Sequence, residues 1–332
     1  MKKNKGNILV IIVISALVLY LVLKDNFTEK IKYLFSINPI FLIIALIFII
    51  IYWILKGLAL HTCINEFDKD YTKKKSIRLM ITTQLFHGIT PFATGGQPWQ
   101  IYKLKKHGIS LSKGTNIVIE DFIGYQAALI IFGFLAVMSN HIFHVIPSDD
   151  KLGYLVTFGF VINSMVIFAL FFLSFGKKTS KKILNSIIDF LGKIKILKKT
   201  DEKKQKVSNF LKDFHESAEI LLKKKEILYK IVILNFFALT FQYATPFIIL
   251  LGLKLYVNPF YVIVTSAYVM LIDSIIPTPG STGGLEYGFM SFFKNFITGP
   301  KLSITMILWR FVTYYFGIIV GLFFLKEDSK WE

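Results

Sequence analysis

Apolar residues run through this chain in blocks rather than in amphipathic stripes. Six blocks, at residues 7–23, 39–60, 115–140, 153–175, 228–251 and 302–325, hold almost no charge. Each is close to the roughly 20 helical residues that cross about 30 Å of hydrocarbon. Two further apolar stretches, 76–104 and 259–296, carry Pro and Gly pairs in their middles. Pro removes a helical hydrogen bond and Gly loosens the backbone, so both stretches are expected to break. The pattern predicts an all-α integral membrane protein, residues 1–332 forming one polytopic domain with about six transmembrane helices and two re-entrant, broken-helix hairpins.

The two breaks share a motif. TPFATGG at 90–96 returns as TPGSTGG at 278–284, with five of seven positions identical. Around them the order of elements also repeats. Two spans, a hairpin and one span fill 7–140 (hairpin 76–104), and the same order fills 153–325 (hairpin 259–296). The second set starts from the opposite side of the membrane. This is the pattern of an inverted-topology repeat, the arrangement that supports alternating access in transporters with substrate near the midplane. One alternative stays open. Residues 259–277 are long enough to cross fully, which would put the second motif at the membrane surface and break the symmetry.

Composition adds to this picture. Hydrophobic residues make up 54% of the chain, aromatic residues 16%, and mean hydropathy is +0.58; a soluble domain has no place for that much apolar surface. The net charge of +18 comes from lysines between spans, where orientation signals are expected. With a cytoplasmic N-terminus, 30 Lys/Arg fall on the cytoplasmic side and 7 outside, which predicts cytoplasmic N- and C-termini in a bacterial-type plasma membrane. The start resembles a signal peptide but lacks a small-residue cleavage site, and reads as a retained span. Residues 177–230 hold 16 Lys against 7 acidic residues. Segments 180–194 and 207–222 there show helical apolar spacing. They read either as amphipathic helices on an anionic membrane surface or as a solvated positive-inside loop. The single Cys63 excludes an internal disulfide and a Cys-based zinc cluster. No nucleotide-binding, hydrolase or metalloprotease motif occurs, so no catalytic residue, metal or cofactor is expected.

The candidate chemistry gathers at the breaks. A half-helix starting after Gly95-Gly96 or Gly283-Gly284 points N–H groups and a positive dipole end inward, which suits an anion such as a phosphodiester. The Thr90, Thr94, Thr278 and Thr282 hydroxyls, together with Gln97, Gln100 and Glu286, would face the same space. Arg310, one of two arginines in the chain, offers a planar fork for phosphate, or serves as a structural partner for Glu120 or Asp121. Glu120, Asp121 and Asp273 are intramembrane charges and candidates for coupling. His87, just before the first motif, reads as a proton relay or as a core histidine. The competing account of the glycines is tight helix packing alone.

These residues carry a resemblance. ITPFATGGQPWQIY at 89–102, followed by KHGIS at 106–110, and PTPGSTGGLE at 277–286 resemble the paired signatures of the lysylphosphatidylglycerol synthase transmembrane-region family, over nearly the whole chain. Bifunctional members of that family join a flippase region to a soluble aminoacyltransferase domain that moves lysine from lysyl-tRNA onto phosphatidylglycerol. This chain stops at Glu332, seven residues past its last apolar block, so only the flippase-like half is expected. The resemblance implies a translocase of lysyl-phosphatidylglycerol or another anionic-phosphate phospholipid, contributing to membrane surface charge and to resistance against cationic antimicrobials. Two alternatives are phosphatidylglycerol lysyltransferase activity and a non-transporting partner of a separate synthase. The expected partners are a phospholipid and the anionic membrane surface, with a separate synthase or a second copy of the chain left open. Nucleic acid is expected only under the lysyltransferase reading.

Overall fold

The structure, a computed structural model, describes residues 26–146, 150–193 and 200–331. The regular elements among them are helical. A short helix α1 (Phe27–Ser36) leads into α2 (Pro39–Ile64). Pro39 opens α2, and the Asn38 side chain caps it by accepting from the Ile40 N–H at 3.0 Å. Helices α3 (Lys73–Gly88) and α4 (Gly96–Lys106) form the first hairpin, and α5 (Leu111–Phe143) and α6 (Asp150–Phe175) follow. Then come α7 (Lys177–Lys193), α8 (Thr200–Lys223) and α9 (Lys225–Gly252). The second hairpin is α10 (Pro259–Leu271), a 3₁₀ turn (Asp273–Ile275) and α11 (Gly284–Phe293). The last helical run is α12 (Gly299–Arg310), a π-helical turn (Phe311–Tyr315) and α13 (Phe316–Trp331).

Among the described residues, five helices are long and apolar enough to cross a membrane: Pro39–Ile64, Leu111–Phe143, Leu152–Leu170, Lys225–Gly252 and Gly299–Lys326. They coincide with five of the six expected spans, and the sixth, 7–23, lies outside the described residues. The outward faces are apolar. Ile40, Ile43, Ile47 and Ile50 form a helical stripe on α2 that is exposed, as are Phe158, Met165, Phe168 and Phe172 on α6. Such stripes are stable only against hydrocarbon or another protein.

Both hairpins have arms of 10 to 16 residues, about 15–24 Å at a rise of about 1.5 Å per residue. No arm covers the hydrocarbon thickness. The stretch 259–277, long enough in sequence for a full crossing, is a helix of only 13 residues that ends at Leu271. A 3₁₀ turn at Asp273–Ile275 follows, and Pro277 bars any helix from running on past Ile276.

At the centre, α2 packs along α9, α13 packs on α3, and α5 lies against α9 and α10. The main apolar core includes Ile49, Trp53, Phe132, Leu239, Phe289, Phe293 and Trp309, and a smaller one surrounds Leu60, Leu79, Leu104, Ile117 and Ile231. In the basic stretch, α7 and α8 pack together and α8 also lies on α5. Leu211 and Phe214, part of the apolar stripe of the expected surface helices, are buried in these contacts, whereas Ile183 is exposed.

Candidate functional site

The two motif turns fold alike. In the first, the Thr90 carbonyl accepts from the Ala93 N–H at 3.2 Å, and the Pro91 carbonyl from the Thr94 N–H at 3.2 Å. In the second, the Thr278 carbonyl accepts from Ser281 at 2.9 Å, and the Pro279 carbonyl from Thr282 at 3.3 Å. The Thr94 hydroxyl adds a bond to the Pro91 carbonyl at 2.9 Å, and the Thr282 hydroxyl one to Pro279 at 2.8 Å. The residues between Pro and Thr are left-handed in both: Phe92 and Ala93 at φ 52° and 53°, Gly280 and Ser281 at 59° and 53°. Two successive positive φ values are the mark of a type I′ turn. For Phe92 that region is strained, and such strain persists only where the surroundings enforce it. A helix then begins at the last motif glycine in each copy, Gly96 and Gly284. The two turns meet, Pro91 pairing with Pro279 in an isolated antiparallel β-bridge.

A cavity of about 120 Å³ lies at this meeting point, lined by both turns and by α3, α9, α12 and the π-helical turn. Its polar lining includes Gln84, His87, Gln242, Asp273, Arg310 and Tyr314. Arg310 is 5% exposed. Its Nε lies 2.7 Å from Glu286 Oε1, one Nη donates to the Gly280 carbonyl at 2.8 Å and sits 3.4 Å from the Thr282 hydroxyl, and the guanidinium lies 4.4 Å from the Tyr314 ring centre. The other Nη has no protein acceptor among the described residues, so a bound anion can still reach one edge of the fork. Tyr314 ties the last helical run to both hairpins. Its hydroxyl donates to the Gly88 carbonyl at 3.0 Å, while a Cβ on Gly280 would sit 2.1 Å from its ring. Tyr314 belongs to the π-helical turn that follows Arg310, and π-bulges of this kind often mark functional sites.

The residues expected at the site separate into groups. Arg310 and Asp273 line the cavity, and Thr282 touches Arg310. Glu286 is buried with both oxygens engaged: Oε1 with Arg310, and Oε2 accepting from the Gly283 N–H at 2.6 Å. The first turn of α11 thus already holds a carboxylate from its own chain. In the first motif the Gly95 N–H donates to the Thr90 hydroxyl at 2.8 Å, and Thr90 in turn donates to the Phe86 carbonyl at 2.7 Å. The Thr278 hydroxyl donates to the Thr282 carbonyl at 2.7 Å. Gln100 is buried against Met80 at 3.9 Å, and Gln97 lies on α4 outside the cavity lining. Glu120 and Asp121 are buried on α5 and are not part of the lining. Arg310 pairs with Glu286, not with Glu120 or Asp121.

His87 lines the cavity, with its Nδ1 2.6 Å from the Ala93 carbonyl. A carbonyl only accepts, so Nδ1 carries the proton and a neutral ring leaves Nε2 bare. The ring lies flush on Gly96, where a Cβ would fall 2.1 Å from Cε1. Sequence reasoning passed over Lys56, Gln84, Gln242 and Tyr314. Only Lys56 had a signal, as a lysine deep within an apolar block.

Long apolar helices surrounding two short, broken hairpins, with apolar outer faces and a polar interior junction, define an all-α multi-pass membrane protein. The chain belongs to the family of the lysylphosphatidylglycerol synthase TM region, whose model matches residues 7–321. It is similar to a UPF0104 membrane protein of Archaeoglobus fulgidus, 25% identical over 300 residues, which cover 86% of this chain and 85% of that protein.

Proposed function

We propose that this protein is a lipid translocase that moves a phospholipid with an anionic phosphate headgroup, of the lysyl-phosphatidylglycerol type, between the leaflets of the plasma membrane. The observation that carries the reading is the meeting of the two motif turns, Pro91 against Pro279, over a polar cavity with a buried arginine. Irregular backbone inside a membrane protein is tolerated where it lines such a cavity. The free edge of Arg310 supports phosphate as the ligand chemistry, and Asp273 gives the cavity a second, opposite charge.

The reading includes an inverted repeat of 7–140 and 153–325. Two features support it. The elements α2, α3, α4 and α5 have 26, 16, 11 and 33 residues. The elements α9, α10 and α11 have 28, 13 and 10, and the unbroken run from Gly299 to Trp331 follows. The turn hydrogen bonds and the left-handed pairs Phe92-Ala93 and Gly280-Ser281 also correspond, whereas Gly283 is left-handed at φ 94° where Gly95 has φ −77°. With both termini cytoplasmic, the Lys-rich α7 and α8 would lie along the anionic inner leaflet. In the cell, moving such lipids would alter surface charge and sensitivity to cationic antimicrobials.

The test is headgroup translocation in proteoliposomes of phosphatidylglycerol containing a tail-labelled fluorescent phosphatidylglycerol, read by chemical quenching of the outer leaflet. Wild type is expected to expose the inner pool to the quencher. Gly96→Leu and Gly284→Leu, verified as folded, are expected to abolish this. Undiminished translocation in both variants would contradict the site.

A further inference from the structure

Charge inside the bundle extends beyond the motif cavity. Lys56 sits in α2, one of the helices long and apolar enough to cross a membrane. Its Nζ lies 3.7 Å from the centre of the Tyr125 ring and 5.9 Å from that of Tyr52, so aromatic faces hold the cation. On α5, Asp121 is 5% exposed and its Oδ1 has no hydrogen-bond partner among the described residues. The field of Lys56 reaches Asp121, yet the two form no ion pair. A closed buried pair is a structural strut. Opposite charges held apart in apolar surroundings, one of them with a bare oxygen, have a low barrier to neutralising the carboxylate.

This pair connects to the cavity. The Lys56 charge acts on His87, and the charge of Asp273 reaches Tyr52, Tyr125 and Tyr243. The titratable groups facing the pair are therefore Tyr52 and Cys63 on α2, His87 on α3, Glu120 and Tyr125 on α5, Tyr243 on α9, and Asp273.

We propose that Asp121 is a proton-exchange site, with Lys56 as its standing counter-charge, that couples anion binding in the motif cavity to a transmembrane proton gradient. The proposal rests on the translocation reading above. While Asp121 is ionised it offsets the Lys56 charge. When the carboxylate takes a proton from hydronium, an O–H bond forms and water leaves. Lys56 is then uncompensated, the potential at His87 and the cavity becomes more positive, and an anionic phosphate binds there more tightly. By linkage the bound anion favours the protonated carboxyl in equal measure. Loss of the proton on the other side restores the offset and loosens the anion. Proton and anion travel in the same direction.

The experiment uses the full chain in phosphatidylglycerol vesicles with tail-labelled fluorescent phosphatidylglycerol. Acid on the labelled side is expected to speed wild-type translocation about fivefold or more over equal pH, the lower end of typical coupling. Asp121→Asn is expected to lose that acceleration, and Asp121→Glu to keep part of it. A translocating wild type that ignores the gradient, or an Asp121→Asn variant that still responds, overturns the proposal. If wild type moves no lipid under either condition, the translocation reading fails and a second measurement decides the proton site. Infrared difference spectra of the purified protein should show a carboxylic-acid band that grows on acidification, responds to added phosphatidylglycerol and is missing in Asp121→Asn. No such band overturns the site.

Discussion

Replacing Gly96 by Ala tests the junction at its tightest point. The new Cβ would sit 2.1 Å from His87 Cε1, 2.4 Å from Nε2 and 2.5 Å from Nδ1. Ordinary carbon contacts are about 3.5 Å or longer, so the ring must retreat by roughly 1.4 Å. It cannot do so freely, because Nδ1 is bonded to the Ala93 carbonyl at 2.6 Å. Overpacking costs about 1–3 kcal/mol, and the loss of one hydrogen bond about 0.5–1.5 kcal/mol. Gly96→Ala should therefore destabilise the protein by about 2–4 kcal/mol, given these two terms. Thermal and denaturant unfolding of the purified protein in detergent measure it. The double variant Gly96→Ala/His87→Ala removes the obstructing ring and should cost less than the two single changes added together, by about 1 kcal/mol. A wild-type melting curve for Gly96→Ala, or strict additivity in the double variant, would refute this account of the glycine.

Other changes probe the rest of the site. Arg310→Gln leaves the buried Glu286 carboxylate without its cation and should cost about 3–5 kcal/mol, much of it regained when Glu286→Gln is added; the same melts report it, and no regain would mean that Glu286 is not its partner. Tyr314→Phe removes the bond to the Gly88 carbonyl that joins the last helical run to the first hairpin; the expected loss is about 1 kcal/mol, and an unchanged melt would contradict the contact. Outside the membrane, the Glu219 carboxyl is held below its ordinary range by a hydrogen bond from Lys177 and then by that lysine's charge. This small support is present above the ordinary carboxylate range and lost as pH falls through the lowered value. Lys177→Gln should flatten the acid side of the stability profile, and an unaltered profile would count against the pair.

Much of the fold was legible because a bilayer imposes a length rule. Blocks such as 39–60 and 115–140 announce themselves by apolar run length, as does the repeated TPxxTGG by its Pro and Gly. The break in 259–277 was harder to read, since run length alone allows a crossing; the helix ends at Leu271, ahead of Pro277. The site was legible in outline only. Gly280 advertises a left-handed turn residue, but Phe92 and Ala93 adopt the same region with no such signal. The threonine hydroxyls have the right chemistry for a ligand, yet they bond to their own turns, a local competition that composition does not reveal. The partner of Arg310 depends on which helix the second hairpin lies against. Opposite charge within the apolar blocks offered Glu120 and Asp121, and packing supplies Glu286.

The central claim is that lipid headgroups pass where the two turns meet. Residues opposed in an antiparallel pair have Cα atoms about 4.5–5.5 Å apart, within the range a disulfide spans. In a Cys63→Ala background, Pro91→Cys combined with Pro279→Cys should therefore cross-link on oxidation. The direct measurement is translocation of tail-labelled phosphatidylglycerol by this variant in proteoliposomes, oxidised and then reduced. The account predicts that translocation stops when the turns are locked and returns with reductant. Undiminished translocation by fully cross-linked protein would contradict it.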